Sequence, residues 1–113
     1  MKQQDLVWVR LPFSSMEESR IRPAVIVSND DYNKKSMDVI VCAITSNLVS
    51  KNHSIFIDSK NLSAGNLPIK SRIRADKIMQ IEKSLIIKPF ARLDNRTFDS
   101  LVKEIIKLLQ RRI

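Results

Sequence analysis

The side chains of this 113-residue chain that could do chemistry are arginines, aspartates and hydroxyls. His53 is its one histidine and Cys42 its one cysteine. A catalytic zinc ion normally needs three or more converging His, Cys, Asp or Glu ligands, so we expect no metal and no cofactor. A glycine-rich phosphate loop is excluded because Gly65 is the one glycine. Cys42 lies inside an apolar run, which predicts an inert, buried thiol.

Arginine, aspartate and threonine suit phosphodiester cleavage in RNA, because RNA carries its own nucleophile, the 2′-hydroxyl group. An enzyme has to orient that hydroxyl, remove its proton, protonate the leaving oxygen and stabilise the anionic phosphorane. A guanidinium matches phosphate oxygens and stays charged, a carboxylate can act as base, and a hydroxyl can position a phosphate oxygen. None of these steps needs a metal ion.

The distribution of charge favours a polyanionic partner. Residues 1–50 hold six Lys/Arg and six Asp/Glu, whereas residues 51–113 hold fourteen and six, so the whole net charge of +8 lies in the second half. Such a field attracts the phosphate backbone of nucleic acid. An acidic protein segment would be attracted to the same surface, and a basic surface without a partner is the simpler alternative.

Patterning predicts short strands followed by one helix. Apolar and β-branched runs indicate strands at residues 6–11, 23–28, 38–45, 53–58, 71–78 and 85–87. A polar loop is expected at residues 14–20 and turns at residues 29–33 and 63–66. After Asp94, a suitable N-cap, apolar residues recur at helical spacing from Phe98 to Leu109. We therefore expect a single domain over residues 1–113, mainly β with a C-terminal α-helix, built as a small compact β-barrel.

Two local patterns add detail. In residues 71–78, Arg72, Arg74 and Asp76 should share one strand face while Ile73 and Ala75 point to the other. A tight barrel normally uses several glycines at its corners, so we expect asparagines at the turns to adopt some of the left-handed conformations.

Three stretches resemble the MazF/PemK toxin family: RPAVIVSN at residues 22–29, AITS at 43–46 and SRIRADKI at 71–78. The opening DLVWV and the helix that follows Ala91-Arg92-Leu93 are also similar, so the resemblance covers nearly the whole chain in family order. It implies a compact barrel that forms a homodimer. It also implies a sequence-specific endoribonuclease that cleaves single-stranded RNA to 2′,3′-cyclic phosphate and 5′-hydroxyl ends and is inhibited by the acidic segment of a cognate antitoxin.

The resemblance also implies the site residues. Arg22 and Thr45 match the pair that is catalytic in many members, and Arg74 with Asp76 matches the Arg-x-Asp pair used in others. We expect Arg22 to clamp the phosphate, Thr45 to position a phosphate oxygen, Arg74 to be a second cation and Asp76 a candidate base. Which pair carries the acid–base work stays open.

Further RNA contacts are expected from side chains near these two pairs, namely Ser46, Lys51, His53, Arg72 and Lys77. Trp8 alternates with apolar neighbours, which favours a place in the core or a dimer interface over a platform for stacking bases.

Structural roles compete with each catalytic one. Arg22 could pair with Glu17, Glu18 or an aspartate of the first half, Thr45 could cap a turn, and Arg74 and Asp76 could form an ordinary surface ion pair. Two other functions also remain open: a non-enzymatic CcdB-like gyrase poison of the same fold, and a basic RNA-binding regulatory module. The N-terminus lacks the apolar region of a signal peptide and no run is long enough to span a membrane, so we expect a cytoplasmic protein.

Overall fold

A computed structural model describes residues 1–12, 19–49 and 52–112 of the chain. The described residues form strands, two α-helices and two short 3₁₀ turns, at Ser59–Asn61 and Lys83–Leu85. The helices are α1 (Asp30–Lys35) and α2 (Asn95–Leu109). The strands are β1 (Asp5–Pro12), β2 (Ser19–Ile26), β3 (Asp38–Thr45), β4 (Ser54–Ile57), β5 (Leu62–Gly65), β6 (Ser71–Glu82) and β7 (Ile86–Leu93).

The described strands form one antiparallel sheet in the order β4-β6-β3-β2-β1-β7-β5. The sheet curls into a half-barrel, and α2 packs against β6 and β4. The predicted fold class, mainly β with a C-terminal helix, is confirmed.

The central strands are buried on both faces. In β2, Ala24, Val25 and Ile26 are each at most 1% exposed. Val25 belongs to the apolar cluster beneath α2, whereas Ala24 and Ile26 belong to a second cluster on the opposite face. Because successive side chains of a strand point to opposite faces, a wholly apolar run is what a doubly covered strand requires.

A break in register bends β6. Cys42 of β3 pairs with Ile78 and Ile44 pairs with Ile73, so the single residue Ala43 lies opposite four residues of β6, 74–77. Such a bulge bends the strand and increases its twist. The first part of β6 therefore pairs with β4 as well as with the end of β3, while its second part pairs with the start of β3.

Helix α2 begins where the sequence predicted. The Asp94 carboxylate accepts a 2.7 Å hydrogen bond from the Thr97 backbone N–H and caps the helix. Phe98 and Leu101 are buried in the core, but the apolar stripe outlasts its cover, because Leu109 is 75% exposed. Only the first turns of the predicted apolar face are therefore covered by this chain.

Several element boundaries differ from the predictions. The predicted turn at 63–66 lies largely in β5, which pairs with β7. The strand predicted at 85–87 is longer, because β7 runs on through Pro89. The register shifts there, so that Phe90 is an extra residue between Pro89 and Ala91 in the pairing with β1. The predicted turn at 29–33 contains the N-cap and first residues of α1, a helix that the sequence analysis missed. The expected loop at 14–20 lies mostly outside the described residues.

The asparagines do not take left-handed conformations, so that prediction is wrong. Among described non-glycine residues only Gln4 (φ 80°) and His53 (φ 53°) have positive φ. The asparagine side chains instead bond to backbone: Asn29 caps α1 and Asn61 accepts from the Asp58 N–H. Gly65 does have a positive φ of 78°, and a Cβ there would overlap the Phe90 carbonyl oxygen and lie 2.7 Å from Ala91 Cα.

No helix in the described part of the chain is long and apolar enough to cross a membrane.

The Asp94 cap gives a testable stability prediction. The hydrogen bonds from Thr97 lower the pKa of Asp94 below its ordinary value of 3.8. The carboxylate therefore contributes its full stabilisation to the folded state above pH 3.8, and this stabilisation is lost as the pH falls through the lowered pKa. Asp94→Ala should cost about 1 kcal/mol of unfolding free energy at pH 7, and the loss should shrink towards pH 3. Urea unfolding at each pH measures the free energy of unfolding of the variant and of the unchanged protein. Asp94→Asn, which keeps a capping oxygen, is the control; equal stability of Asp94→Ala and the unchanged protein at pH 7 would contradict the assignment.

Candidate active-site cleft

A cleft opens where β2 and β3 separate. Their pairing runs from Ile26 and Val41 to Ala24 and Ala43 and ends there. The next residue of β2, Pro23, has no N–H and cannot donate to a ladder. Beyond this point Arg22 of β2 and Thr45 of β3 both line the same cleft, of about 240 Å³. The Arg-Pro dipeptide thus lies where the two strands part.

The other walls of the cleft are mostly apolar. The Trp8 and Phe90 rings stack with their centroids 4.5 Å apart and their planes at 22°, and both residues line the cleft. The remaining lining residues are Ile21, Pro23, Ile44, Ser46, Leu67, Pro68, Ile69 and Ser71. Trp8 is half-buried: it lies neither wholly in the core nor fully exposed on the surface. Its ring forms an apolar wall beside a cationic and a hydroxyl group.

The two polar groups of the cleft differ in how they are held. The Thr45 hydroxyl oxygen accepts a 3.1 Å hydrogen bond from the Asn47 backbone N–H, which leaves the hydroxyl proton available to a ligand oxygen. Arg22 is exposed, and no carboxylate of the described residues forms an ion pair with it. Glu17 and Glu18, its alternative partners, lie outside the described residues. A guanidinium beside a free hydroxyl proton is an arrangement that can bind a phosphate.

The other predicted pair lies at a different place. Arg74 and Asp76 sit in the β6 bulge and are not among the residues that line the cleft. They form a two-pronged ion pair, Nε to Oδ1 at 3.1 Å and Nη2 to Oδ2 at 3.2 Å, with both side chains more than a third exposed. The hydrogen bond from Arg74 lowers the pKa of Asp76. A lowered pKa makes a carboxylate a weaker base.

The predicted alternation in β6 holds for the buried positions, since Ile73 and Ala75 are both 0% exposed. Arg72 does not follow this alternation, because it lies on the polar face and yet is only 7% exposed. Its Nε donates to the Asn47 carbonyl oxygen at 2.7 Å and its Nη1 to Ser54 Oγ at 2.8 Å. The side chain expected to bind RNA is therefore engaged with the protein's own backbone and hydroxyl groups.

The remaining predicted RNA contacts are dispersed. Ser46 is exposed and lines the cleft. His53 and Lys77 are exposed on the side of the β6 bulge: the His53 carbonyl accepts from the Ala75 N–H at 2.9 Å, and Lys77 follows Asp76. Lys51 lies outside the described residues. The structure thus brings Arg22, Thr45 and Ser46 together and leaves the Arg74–Asp76 pair apart.

The thiol of Cys42 has no part in the cleft. Its residue is 0% exposed, and burial, with a smaller effect from the charge of Asp76, raises its pKa to about 12. Elsewhere in the described chain no group of three or more His, Cys, Asp or Glu side chains is placed to hold a metal ion.

Comparison with known proteins gives the family. Residues 2–109 match the family model described as PemK-like, MazF-like toxin of type II toxin–antitoxin system. The chain belongs to this family. The match confirms the resemblance seen in the sequence motifs, and it covers all the strands and helices described above.

Solved structures of MazF proteins have the same fold. MazF from Deinococcus radiodurans (Form-I) superposes with a TM-score of 0.78 at 18% identity, covering 96% of each chain. A MazE–MazF structure from the same organism (Form-III) gives 0.79 at 17%, covering 96% of this chain and 95% of that one. An endoribonuclease in complex with its cognate antitoxin, from a Mycobacterial species, gives 0.75 at 16%, covering 96% and 94%. At these identities the likeness establishes the fold. A search of curated protein sequences gives no match.

Sequence reasoning missed part of the cleft of this MazF-like chain. The wall formed by Leu67, Pro68 and Ile69 had one usable signal, an apolar run between a predicted turn and a strand. Ser54 and Asn47, which hold Arg72, had none, because serine and asparagine are ordinary loop residues. Their role depends on which strands are neighbours.

Burial of Cys42 predicts low thiol reactivity. With its pKa near 12 and no exposed surface, the thiol should not react with an aromatic disulfide reagent at pH 8 within hours in the folded protein. One thiol per chain should react at once in guanidinium chloride. Rapid labelling of the native protein would contradict the buried placement.

Proposed function

We propose that this MazF-like toxin is a metal-independent endoribonuclease that cuts single-stranded RNA at specific sequences. The ribose 2′-hydroxyl loses its proton as its oxygen attacks the adjacent phosphorus, and the bond to the 5′-oxygen of the next nucleotide breaks. That 5′-oxygen takes up a proton, water carries the proton between the two sites, and the products carry 2′,3′-cyclic phosphate and 5′-hydroxyl ends. The observation that carries the proposal is that Arg22 and Thr45 line one cleft, beyond the last paired residues of β2 and β3.

The two residues would share the work as follows. Arg22 binds the non-bridging phosphate oxygens and stabilises the charge that grows on them in the phosphorane. The Thr45 hydroxyl donates a hydrogen bond to one of these oxygens, since its own oxygen already accepts one from the Asn47 N–H. Ser46, next in the chain and also in the cleft, supplies a further hydroxyl for the RNA.

The alternative pair is less suited to catalysis. The Asp76 carboxylate is held by Arg74, its pKa is lowered, and it does not line the cleft. The part of the cleft that is described contains no carboxylate or imidazole group. We therefore assign Arg22 and Thr45 to orientation of the RNA and stabilisation of the transition state. Arg74, Asp76, His53 and Lys77 form an outlying polar edge along which RNA could run.

The proposal includes three partners and a location. The RNA is single-stranded, the toxin acts as a homodimer in the cytoplasm, and a cognate antitoxin inhibits it with an acidic segment. The net charge of +8 supports both polyanionic partners. Exposed apolar side chains beside the cleft, Ile21 (51% exposed) and Ile87 (45%), support burial against another chain.

The first experiment asks whether the purified protein cleaves RNA at all. Incubation with a long single-stranded RNA in EDTA should give discrete fragments. Their 5′ ends should accept phosphate from polynucleotide kinase without prior dephosphorylation, because they carry free hydroxyls. Absence of cleavage across several unrelated RNAs would overturn the proposal and favour a CcdB-like gyrase poison or an RNA-binding module.

The second experiment decides between the two pairs. Arg22→Ala and Thr45→Val should each lower the cleavage rate by about a hundredfold or more, the usual effect of removing one transition-state contact. Thr45→Ser keeps the hydroxyl and is the matched control, while Asp76→Asn should lose less than about tenfold. Circular dichroism and thermal melting verify folding. A hundredfold loss in Asp76→Asn with near-normal Arg22→Ala would transfer the chemistry to the other pair.

A further inference from the structure

Arg72 is a nearly buried cation without a carboxylate partner. It is 7% exposed, and no ion pair in the described part of the chain includes it. Removing a charge from water is costly unless hydrogen bonds replace the lost solvation. Here two neutral oxygens replace it, the Asn47 carbonyl at 2.7 Å and Ser54 Oγ at 2.8 Å. The role of Arg72 is therefore indicated by the two segments that these hydrogen bonds hold together.

What Arg72 holds is the two ends of one connection. Asn47 follows the end of β3, and Ser54 is the first residue of β4. Ser54 in turn donates from its hydroxyl to the Asn52 carbonyl at 3.1 Å. One guanidinium therefore ties together both ends of the β3–β4 connection, residues 46–53, part of which lies outside the described residues.

The same connection begins at the candidate catalytic threonine. Thr45 pairs directly with Arg72 across the β3–β6 ladder. The Asn47 residue whose carbonyl accepts from Arg72 uses its N–H to bond the Thr45 hydroxyl oxygen at 3.1 Å. These two groups belong to neighbouring peptide units that share the Asn47 Cα, so restraining the Asn47 carbonyl also restrains the N–H that bonds the Thr45 oxygen, and with it the direction of the hydroxyl proton.

We propose that Arg72 is a positioning residue: it clamps the β3–β4 connection so that the Thr45 hydroxyl proton points into the cleft. The proposal rests on the function proposed above. It replaces the expectation that Arg72 binds RNA, because the Nε–H and one Nη1–H are already used within the protein. Placement errors of about 1 Å in a catalytic group cost up to about a hundredfold in rate, which sets the size of the expected effect.

Arginine is the residue that can do this. Its planar fork presents several N–H groups in fixed directions, so one side chain can bond two oxygens on different segments. Lysine keeps the charge but concentrates it on one small ammonium group, which cannot reproduce both bonds. Arg72→Lys therefore separates the geometry of the clamp from its charge.

The test compares Arg72→Lys, Arg72→Gln and Ser54→Ala with the unchanged protein. Ser54→Ala removes one arm of the clamp without altering any charge. Arg92→Lys is the matched control, because Arg92 also donates to a backbone carbonyl, that of Gln3 at 2.8 Å, but on strand β7 and outside the cleft. Thermal melting confirms that each variant folds.

If Arg72 positions Thr45, kcat should fall about ten- to a hundredfold in all three variants while KM stays within about twofold of its value in the unchanged protein. In Arg92→Lys both kcat and KM should be unchanged. The loss of kcat in the double variant Arg72→Lys/Ser54→Ala should be smaller than the product of the two single losses, because both substitutions break the same clamp. The salt dependence of RNA binding should be the same in Arg72→Gln as in the unchanged protein.

A direct phosphate contact would behave differently and would overturn the proposal. Arg72→Lys would then keep its activity, while Arg72→Gln would raise KM and reduce the slope of log affinity against log salt by about 0.7. Unchanged kcat in folded Ser54→Ala and Arg72→Lys would also overturn it.

Hydrogen exchange separates this proposal from the proposed function. The Val49 N–H donates to Asn47 Oδ1 at 3.0 Å, so it reports on the same residue as the Asn47 N–H. Amide exchange at Asn47 and Val49 should be faster in Arg72→Lys and Ser54→Ala whether or not the protein cleaves RNA. If the unchanged protein leaves RNA intact, the proposed function fails; if these amides exchange at the same rate in all proteins, the clamp fails.

Discussion

The register break between β3 and β6 is the constraint on which the arrangement depends. Four residues of β6 face one residue of β3, so β6 pairs with the start of β3 by one register and with its end by another. The second register is the one that sets Arg72 opposite Thr45 and lets β4 join the other edge of β6. Without the bulge, the ladder from Cys42 and Ile78 would continue and set Lys77, Asp76 and Ala75 opposite the last three residues of β3, in place of Ile73 and Arg72.

Burial on both faces of the central strands explains why the candidate site lies beyond the end of the β2–β3 ladder. Between Ala24 and Ile26 in β2, and from Val41 to Cys42 in β3, every side chain is committed to one of the two apolar clusters. A polar group there would lose its solvation, at a cost of several kcal/mol without a partner. Arg22 and Thr45 lie just past the last β2–β3 pair, where side chains reach solvent while their backbones stay paired with β1 and β6.

The sequence was informative where local chemistry decides the outcome and uninformative where tertiary pairing decides it. The fold class, the doubly buried β2, the β3 boundaries and the Asp94 cap follow from periodicity and capping, and the structure has them. Strand β5 could not be predicted, because Leu62–Gly65 has little β-forming character and pairs only because β7 lies beside it. The bulge in β6 carries no glycine and so gave no signal.

The candidate site shows the same division. Arg22 and Thr45 were singled out by the family resemblance, and the structure sets both on one cleft, whereas Arg74 and Asp76 do not line it. A period-two pattern places residues on a face; it does not reveal that the strand bends between them. For Arg72 the pattern suggested exposure, whereas Asn47 and Ser54, distant in sequence, draw the side chain inward.

The three arginines near the β3–β6 bulge and the cleft differ in whether a carboxylate neutralises their charge. Arg74 is neutralised by Asp76 two residues away, and an ion pair that is more than a third exposed contributes only about 0.2–1 kcal/mol while cancelling most of its field. Arg72 bonds neutral oxygens, and Arg22 has no carboxylate partner in the described chain, so both keep their full positive charge near Thr45. The guanidinium of Arg72 uses two N–H groups on oxygens of the protein, whereas Arg22 lines the cleft. Arg22 is therefore the cation that can bond a phosphate directly, and Arg72 acts on the rate through the position of Thr45, which is why kcat and the salt slope distinguish the two roles.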